Sequence, residues 1–400
     1  MFFQKIKNVF WHLPKSIFFH YYYGQLSNKL TLIGITGTDG KTTTCTLIHQ
    51  VLQKSGIKSG LITTITSPGL HNTSPKPQEI QRYFKKIISE GCTHCVCEIT
   101  SHALDQNRFW GCNFAVSAIT NISHEHLDYH KNIKNYIASK TKLFLQSNFA
   151  VLNRDDQSYE QIKNVITCPI ISYSITNPSD FQANNIISDA DELRFSVGKT
   201  NFSTNSNYHY QIYNILAAFI VTQKLNIDQE IFLETIKKFP DVKGRREEIP
   251  NDQKIRTIID FAHTPNGLKQ TLSSLKKITK GKLIVIFGAT GGRDKQKRPI
   301  MGQVVTQLAD ITIITADDTR TEKIEDINQQ IISGITKKDA IYYNIPNRQD
   351  AFNLAIKLAK PLDTVIACGK GHETTILHGK TEYPWSEAEA FRTAIKLKKS

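Results

Sequence analysis

A glycine-rich turn between an apolar run and a helical pattern constrains this fold most. The turn occupies residues 34–44, reads Gly-Ile-Thr-Gly-Thr-Asp-Gly-Lys-Thr-Thr-Thr, and follows the apolar run 30–35. A strand, a glycine turn and a helix in this order place backbone N–H groups around an anion at a helix N-terminus. Lys41 would neutralise the outer phosphates, and the Thr42 hydroxyl would ligate Mg²⁺. The turn therefore predicts a phosphate-binding loop in an α/β fold.

The spacing of this turn departs from the usual motif. Gly37 and Gly40 enclose two residues instead of four, and Ile35 stands where the first glycine is expected. A glycine loop without function is the alternative. The strand before it, the Lys-Thr pair and the helix after it favour phosphate binding.

Composition narrows the class of protein. The 400 residues are 40% hydrophobic, which suits two or three globular domains. No apolar run approaches the roughly 20 residues that cross a bilayer, and no signal peptide is evident, so we expect a cytoplasmic protein. Seven scattered cysteines fit reduced thiols. The net charge of +14 has no aromatic-plus-basic module beside it, so a lysine-rich surface is expected and a nucleic-acid partner is not.

The first 30 residues form a basic, aromatic segment. No acidic residue occurs before Asp39, and apolar residues at 2, 6, 9 and 13 have helical spacing up to Pro14. Such a segment can lie in the interface of a membrane, at its inner face. It can equally pack as a cap on the first strand. The sequence leaves both interpretations open.

Apolar runs alternate with helical patterns through the rest of the chain. The alternation predicts an α/β fold with a central P-loop ATPase-like domain, built on a mainly parallel sheet, and a C-terminal Rossmann-like domain. The expected division is 1–30 for the N-terminal segment, 31–243 for the central domain and 244–400 for the C-terminal domain.

Polar clusters follow several predicted strands, where open α/β sheets place ligands. Glu98 ends one apolar strand, and the run from His124 to His130 follows the next. His124 and His126 are two residues apart and do not share a helical face, so one Mg²⁺ ligand is favoured over a zinc site. Lys140, within a predicted helix, would by default be a surface lysine.

These clusters, in their order, resemble the Mur ligase family from about residue 31 to 395. The segments that carry the resemblance are Thr36-Gly-Thr-Asp-Gly-Lys-Thr-Thr, Asn72-Thr-Ser-Pro, Glu98-Ile-Thr-Ser-His-Ala-Leu-Asp-Gln-Asn-Arg, His126-Leu-Asp-Tyr-His, Ala138-Ser-Lys, Asp260-Phe-Ala-His-Thr-Pro, Phe287-Gly-Ala-Thr-Gly-Gly-Arg-Asp-Lys-Gln-Lys-Arg-Pro and Gly369-Lys-Gly-His-Glu. The last two are similar to the tripeptide synthetase branch, which adds the third residue of the peptidoglycan stem.

The resemblance implies an ATP-dependent amide ligase that uses Mg²⁺ and passes through an acyl phosphate. Its implied catalytic residues are Lys41, Glu98, His126, Lys140 and Arg245. Its implied metal ligands are Thr42, Glu98, His126 and Lys140, the last as a carbamate. Its implied nucleotide contacts are Gly37, Thr38, Asp39, Gly40, Lys41, Thr42, Thr43, Asn214, Arg245, Asp260 and His263.

The same resemblance implies two substrates, a muramoyl-peptide and an amino acid, bound by a monomer. The implied muramoyl-peptide contacts are Thr73, Ser74, Ser101, Gln106 and Arg108. The implied amino-acid contacts are Arg293, Asp317, Asp318, Thr319, Arg320, Gly369 and Glu373. Members that use meso-diaminopimelate have Asp-Asn-Pro-Arg where this chain has Asp-Asp-Thr-Arg. Arg320 favours a diacid, whereas the extra carboxylate of Asp318 is expected to weaken that preference.

The family also has an N-terminal domain that binds the UDP-sugar. Only 33 residues precede Gly34, fewer than the roughly 50 of an ordinary domain. We therefore expect the uridine end to be held weakly or by another protein, or the acceptor to be membrane-linked. The rival functions are a folylpolyglutamate- or cyanophycin-type ligase and a non-catalytic ATP-binding protein at the membrane.

Overall fold

The computed structural model describes residues 2–66, 74–189, 192–206, 208–240 and 242–399. The chain divides into two compact units, one of residues 1–123 and 129–239 and the other of residues 124–128 and 240–400. Each unit is a mixed α/β structure with a mainly parallel sheet, which confirms the predicted fold class.

Within their described part, the first 239 residues contain ten α-helices and ten strands. These are α1 (Phe2–Lys7), α2 (Leu13–Tyr22), β1 (Thr31–Thr36), α3 (Lys41–Lys54), β2 (Ser59–Ile62), α4 (Pro77–Ser89), β3 (His94–Glu98), α5 (Ser101–Asp105), β4 (Phe114–Ile119), α6 (Leu127–His130), α7 (Ile133–Thr141), β5 (Ala150–Asn153), α8 (Tyr159–Lys163), β6 (Ile170–Ser174), β7 (Phe181–Gln182), β8 (Asn184–Ser188), β9 (Leu193–Val197), β10 (Thr200–Thr204), α9 (Gln211–Lys224) and α10 (Gln229–Lys237).

The main sheet of the first unit has the order β2-β3-β1-β4-β5-β6-β7, with parallel pairs throughout. Its strands are apolar on both faces. Ile33 and Ile35 pack into one core with α3 and α9, whereas Leu32 packs into a second core with α4. Burial on both faces is what a parallel sheet between helices requires, and it explains the continuous apolar strands of the sequence. Strands β8, β9 and β10 form a separate antiparallel sheet.

The second unit is built on the sheet β11-β12-β16-β13-β14-β15, in which only the β11–β12 pair is antiparallel. Its elements are β11 (Arg245–Glu248), β12 (Arg256–Asp260), α11 (Pro265–Ile278), β13 (Leu283–Phe287), α12 (Lys297–Leu308), β14 (Ile311–Ile314), α13 (Ile324–Ile332), β15 (Tyr342–Asn344), α14 (Arg348–Leu358), β16 (Thr364–Cys368), β17 (Thr375–His378), β18 (Thr381–Pro384) and α15 (Glu387–Lys399).

The N-terminal segment differs from its prediction. Pro14 does not end the helix: it lies at the start of α2, and a π-helical turn, Asn8–His12, joins α1 to α2. Proline lacks an N–H and its ring clashes with the carbonyl four residues earlier, so a regular α-helix would be disrupted here. The wider π turn lets the helical path continue through the proline. No helix among the residues described is long and apolar enough to cross a membrane.

Candidate active site

The phosphate loop, residues 37–40, connects β1 to α3 and is braced by the end of β4. The N–H of Thr38 donates to the carbonyl oxygen of Asn121 at 2.7 Å, and the Thr120 hydroxyl donates to the carbonyl oxygen of Asp39 at 2.6 Å. At Gly37 (φ 145°) a Cβ would lie 1.9 Å from the Thr120 hydroxyl oxygen, so only glycine fits. The geometry of the loop therefore depends on Thr120 and Asn121, which directly follow β4.

Lys41 and Thr42 occupy the first turn of α3, with Thr43 beside them. The Lys41 ammonium donates to the carbonyl oxygen of Thr38 at 2.7 Å, so it reaches back over the loop. The loop N–H groups, the start of α3 and this ammonium together supply the positive potential that a polyphosphate needs.

Thr42 and Glu98 meet at the end of β3. The Thr42 hydroxyl donates to Oε2 of Glu98 at 2.9 Å, and the Glu98 side chain is buried. Within the described residues no group of three or more histidine, cysteine, aspartate and glutamate side chains is arranged to hold a metal ion. One hydroxyl and one carboxylate beside a phosphate loop do fit Mg²⁺, which takes few protein ligands and completes its shell with water and phosphate oxygens.

Lys140 on α7 is not a surface lysine, which corrects the default interpretation. It is 1% exposed, and its ammonium donates to the carbonyl oxygen of Gly37 at 2.6 Å. Burial, and then the positive charge of Lys41, lower the pKa of Lys140 well below its usual value. Lys140, beside the phosphate loop, therefore loses its proton more easily than an exposed lysine does.

His126, the remaining implied metal ligand, belongs to the second unit. Its backbone has φ 56°, the left-handed region that few residues other than glycine adopt, and its Nδ1 lies 3.8 Å from Oε1 of Glu125. Glu125 in turn forms a buried ion pair with Lys297, at 3.0 Å. Burial alone would raise the pKa of Glu125, but Lys297 lowers it to about 2.

The implied acceptor contacts cluster after β3 in the first unit. The Arg108 guanidinium donates to the carbonyl oxygen of Ser74 at 2.5 Å and, twice, to the Gln106 side-chain oxygen at 3.0 and 2.8 Å. Ser101 bonds His130 Nε2 at 2.9 Å. The structure thus brings four of the five residues together, while Thr73 lies outside the described residues.

The implied nucleotide contacts divide between the units. Asn214 on α9 lies against the phosphate loop, where a Cβ on Gly40 would come within 2.2 Å of its Oδ1. In the second unit the Arg245 guanidinium stacks 4.0 Å from the centre of the Phe261 ring. Asp260 accepts the backbone N–H groups of Arg246 and Ala262 at 2.9 and 2.8 Å, and burial raises its pKa. His263 follows two residues after Phe261, with Nδ1 at 2.8 Å from the Phe261 carbonyl oxygen.

The implied amino-acid contacts follow three adjacent parallel strands, β16, β13 and β14. A Cβ on Gly369 would lie 2.7 Å from Oδ2 of Asp317, so glycine is needed where these two strand ends approach. Burial favours the neutral form of Asp317, but the charges of Lys370 and Arg348 keep its pKa below its usual value. Thr319 bonds His378 Nδ1 at 3.2 Å.

Two guanidinium groups of this cluster have unused donors. The buried Nε of Arg320 has no hydrogen-bond partner among the described residues, and there Arg293 has neither a hydrogen bond nor an ion pair. Burial, and then the charge of Arg320, lower the pKa of Arg293. Two neighbouring cations with free donors form a site for an anion such as a carboxylate.

Asp318, the carboxylate expected to weaken the preference for a diacid, has partners of its own. Its carboxylate pairs with Lys370 at 2.7 Å and accepts the N–H of Leu377 at 3.0 Å. Lys370 also pairs with Glu373 at 2.5 Å. Burial, opposed by the charge of Lys370, raises the pKa of Glu373 to about 7.

Sequence reasoning assigned no role to Lys297, Arg298 or the Arg348–Glu387 pair. Lys297 and Arg298 begin α12, where the helix dipole disfavours cations, and both are buried with acidic partners. Two basic residues in a first helical turn are a sequence signal for such partners. The buried Arg348 pairs with Glu387 at 2.8 Å and donates to the carbonyl oxygens of Ala316 and Cys368, bracing the ends of β14 and β16.

Two family domains match this chain. Residues 35–222 match the Mur ligase middle domain, and residues 244–371 match the Mur ligase glutamate ligase domain. The 2,6-diaminopimelate ligase acting on UDP-N-acetylmuramoyl-L-alanyl-D-glutamate from Clostridioides difficile is 35% identical over 383 residues, covering 92% of this chain and 79% of that protein. The like-named ligase of Bacillus cereus is 35% identical, covering 98% and 82%.

Solved structures agree with this match. A structure of a ligase of the same name has a TM-score of 0.62 at 28% identity, covering 93% of this chain and 79% of that one. Folylpolyglutamate synthase of Mycobacterium tuberculosis, solved with ADP and AMPPCP, has a TM-score of 0.72 at 16% identity over 89% of this chain and 92% of that one, a likeness of fold alone. The chain therefore belongs to the Mur ligase family and is a ligase.

Proposed function

We propose that this chain adds a diamino diacid of the meso-diaminopimelate type to a muramoyl-dipeptide acceptor, with ATP and Mg²⁺, in peptidoglycan precursor synthesis. The enzyme would act as a monomer in the cytoplasm, in peripheral contact with the membrane through residues 1–30. The names of its relatives support the reaction. The observation that carries the choice of amino acid is the pair Arg293 and Arg320, whose free donors fit a distal carboxylate.

The reaction transfers the γ-phosphoryl group of ATP to an acceptor carboxylate oxygen, breaking the bond to ADP. The amine then attacks the acyl carbon, its nitrogen loses a proton, and inorganic phosphate leaves with the former carboxylate oxygen. Lys41 and the loop amides would hold the phosphates, where fixed charges stabilise the transferring group. Arg245, Asp260, His263 and Asn214 would contact the nucleotide, and Ser74, Ser101, Gln106 and Arg108 the acceptor.

Mg²⁺, when bound, neutralises phosphate charge. Thr42 and Glu98 would hold one ion, and His126 and Lys140 a second. Lys140 would serve as a carbamate, and its lowered pKa supports this role because a neutral amine adds CO₂ with loss of a proton to give a carbamate. A carbamate oxygen is a hard ligand of the kind that Mg²⁺ prefers.

Phosphate release tests this function. We expect release from ATP only when a muramoyl-dipeptide acceptor and meso-diaminopimelate are both present, with a product mass equal to the condensed pair. Arg320→Leu should raise the KM for diaminopimelate about 10- to 100-fold, the loss of a charge-assisted hydrogen bond, without changing that for the acceptor. Release with acceptor alone, or equal use of lysine and diaminopimelate, would contradict the proposal.

A further inference from the structure

The N-terminal helical segment consists of α1, the π turn and α2. It buries polar side chains against the first unit and exposes aromatic side chains to solvent. Asn8, His12, Ser16 and His20 recur every four residues and so share one face of the segment. Asn8, Ser16 and His20 are 6%, 3% and 4% exposed. This is the reverse of a helix that packs an apolar face on its own domain.

Specific contacts fix this orientation. Asn8 donates to Oδ2 of Asp105 at 2.6 Å, and the same oxygen accepts the Tyr129 hydroxyl at 2.9 Å. The His20 ring meets the Trp110 ring edge-on at 5.4 Å and covers Gly111, where a Cβ would come within 2.7 Å of the imidazole. Turning the aromatic face inward would therefore break the partly buried Asn8–Asp105 hydrogen bond and the His20–Trp110 ring contact.

The outer face carries several large exposed apolar side chains. Its large side chains have exposed fractions of 52% for Val9, 75% for Phe10, 56% for Trp11, 58% for Phe18, 58% for Tyr21 and 70% for Tyr22. Phe18 and Tyr22 stack on each other at 5.5 Å. Exposed apolar patches of this kind mark surfaces that bind a partner or a membrane.

The charges beside this face identify the partner. Lys7, Lys15 and Lys29 are exposed, and the Lys15 ammonium lies 4.0 Å from the Trp11 ring centre. No acidic residue occurs in the first 38 positions, so a second copy would bring lysines against lysines. An aromatic face with a cationic rim matches the anionic headgroups and shallow apolar layer of a bilayer surface.

We propose that the outer face of this segment docks in the plane of an anionic membrane surface. This docking would provide the peripheral contact included in the proposed function, and it does not depend on which reaction the enzyme catalyses. The polar inner stripe keeps the segment attached to the folded unit while the aromatic side chains enter the headgroup region.

Vesicle co-sedimentation of the full chain tests this. Binding is expected to phosphatidylcholine vesicles containing one quarter phosphatidylglycerol. It should weaken at least about fivefold in each of Lys7→Glu and Lys15→Glu, since each change removes one attracted charge and adds a repelled one. The triple variant Phe10→Ser, Trp11→Ser, Tyr22→Ser should weaken binding at least about tenfold, since each change removes apolar burial.

A matched triple variant provides the control. Leu145→Ser, Val165→Ser and Tyr383→Ser change side chains of similar exposure (59%, 55% and 49%) elsewhere, and binding should stay unchanged. Equal losses in both triple variants, or equal binding to vesicles of phosphatidylcholine alone, would overturn the proposal. So would a concentration-dependent dimer in sedimentation that only the first triple variant disperses, because the face would then join two copies.

Discussion

Glu373 and Lys140 are both displaced by burial toward their uncharged forms. The types of these residues and their place in the chain were predictable, since Glu373 follows a strand and Lys140 lies in a helix. The burial of these two side chains was not predictable, because it depends on which helices and strands pack over them. The pairing of Asp318 with Lys370 was likewise not predictable, because it needs the ends of two strands to meet.

The KM for the amino acid should depend on the protonation of Glu373. Its pKa of about 7 leaves it mostly neutral at pH 6, where it cannot pair with a substrate ammonium group. We expect the KM to rise about tenfold from pH 8 to pH 6, measured by initial rates. Glu373→Gln should have a high KM at every pH.

The same shift has a consequence for stability. The folded state holds the Glu373 proton more tightly than the unfolded chain, so the free energy of unfolding should fall as pH rises from 4.5 to 7. This slope should be reduced in Glu373→Gln. If the KM for the amino acid does not change with pH in the unaltered protein, Glu373 does not pair with the ammonium group of the substrate.

Lys140 should carry a carbamate. Its lowered pKa provides the neutral amine that reacts with CO₂, so ¹³C NMR in labelled bicarbonate should show a carbamate carbon. Lys140→Met should lose this signal and nearly all ligase activity. Lys134→Met, an exposed lysine on the same helix, should keep both. A signal that survives in Lys140→Met would assign the carbamate elsewhere.

The sequence predicted the types of the helices and strands better than the residues at which they begin and end. Helix α3 begins inside the glycine-rich turn, at Lys41, because Gly40 (φ 82°) caps it directly after the phosphate loop. The π turn accommodates Pro14, and the hydrogen bond from Asn8 to Asp105 attaches this part of the segment to the first unit. Hydrophobic periodicity defines the interior of an element, whereas local backbone geometry decides where it stops.

Gly40→Ala should destabilise the phosphate loop by more than the backbone strain of an alanine at positive φ would cause. The backbone at Gly40 has a positive φ, which strains any residue with a Cβ. The added Cβ would also lie 2.2 Å from Oδ1 of the buried Asn214. Gly56 (φ 78°) has nothing within 4 Å of a Cβ, so Gly56→Ala measures the strain, about 1 kcal/mol. We expect Gly40→Ala to cost more in urea unfolding and to weaken ADP binding at least about tenfold by calorimetry. Equal costs would show that Asn214 yields.

The whole molecule contains two α/β units, each with its own core. Both sheets follow from the alternation of apolar runs and helical patterns, and this part of the fold was predictable. The assignment of residues 124–128 to the second unit was not, because it rests on a contact between residues 172 positions apart. Local sequence patterns carry no information on such a pairing.

Glu125 and Lys297 should show strong coupling in unfolding. The pair is almost fully buried, so Glu125→Leu or Lys297→Met alone should cost about 3–5 kcal/mol by leaving one charge unpaired. The double variant should recover most of this loss in urea unfolding. Additive losses would show that the two charges act independently.

The pH dependence gives a separate check on this pair. The pKa of Glu125 is lowered to about 2, so its contribution should be complete above pH 4.5 and disappear as pH falls toward 2. The double variant should lack this acid transition.

The early position of residues 124–128 also sets an order of events during synthesis on the ribosome. These residues leave the exit tunnel well before Lys297 is translated, so the first unit can fold while Glu125 still lacks its partner. The ion pair can close only after the chain has been made as far as α12. Ribosomes halted before that point would hold a chain that has the nucleotide loop but lacks the ion-pair partner of Glu125.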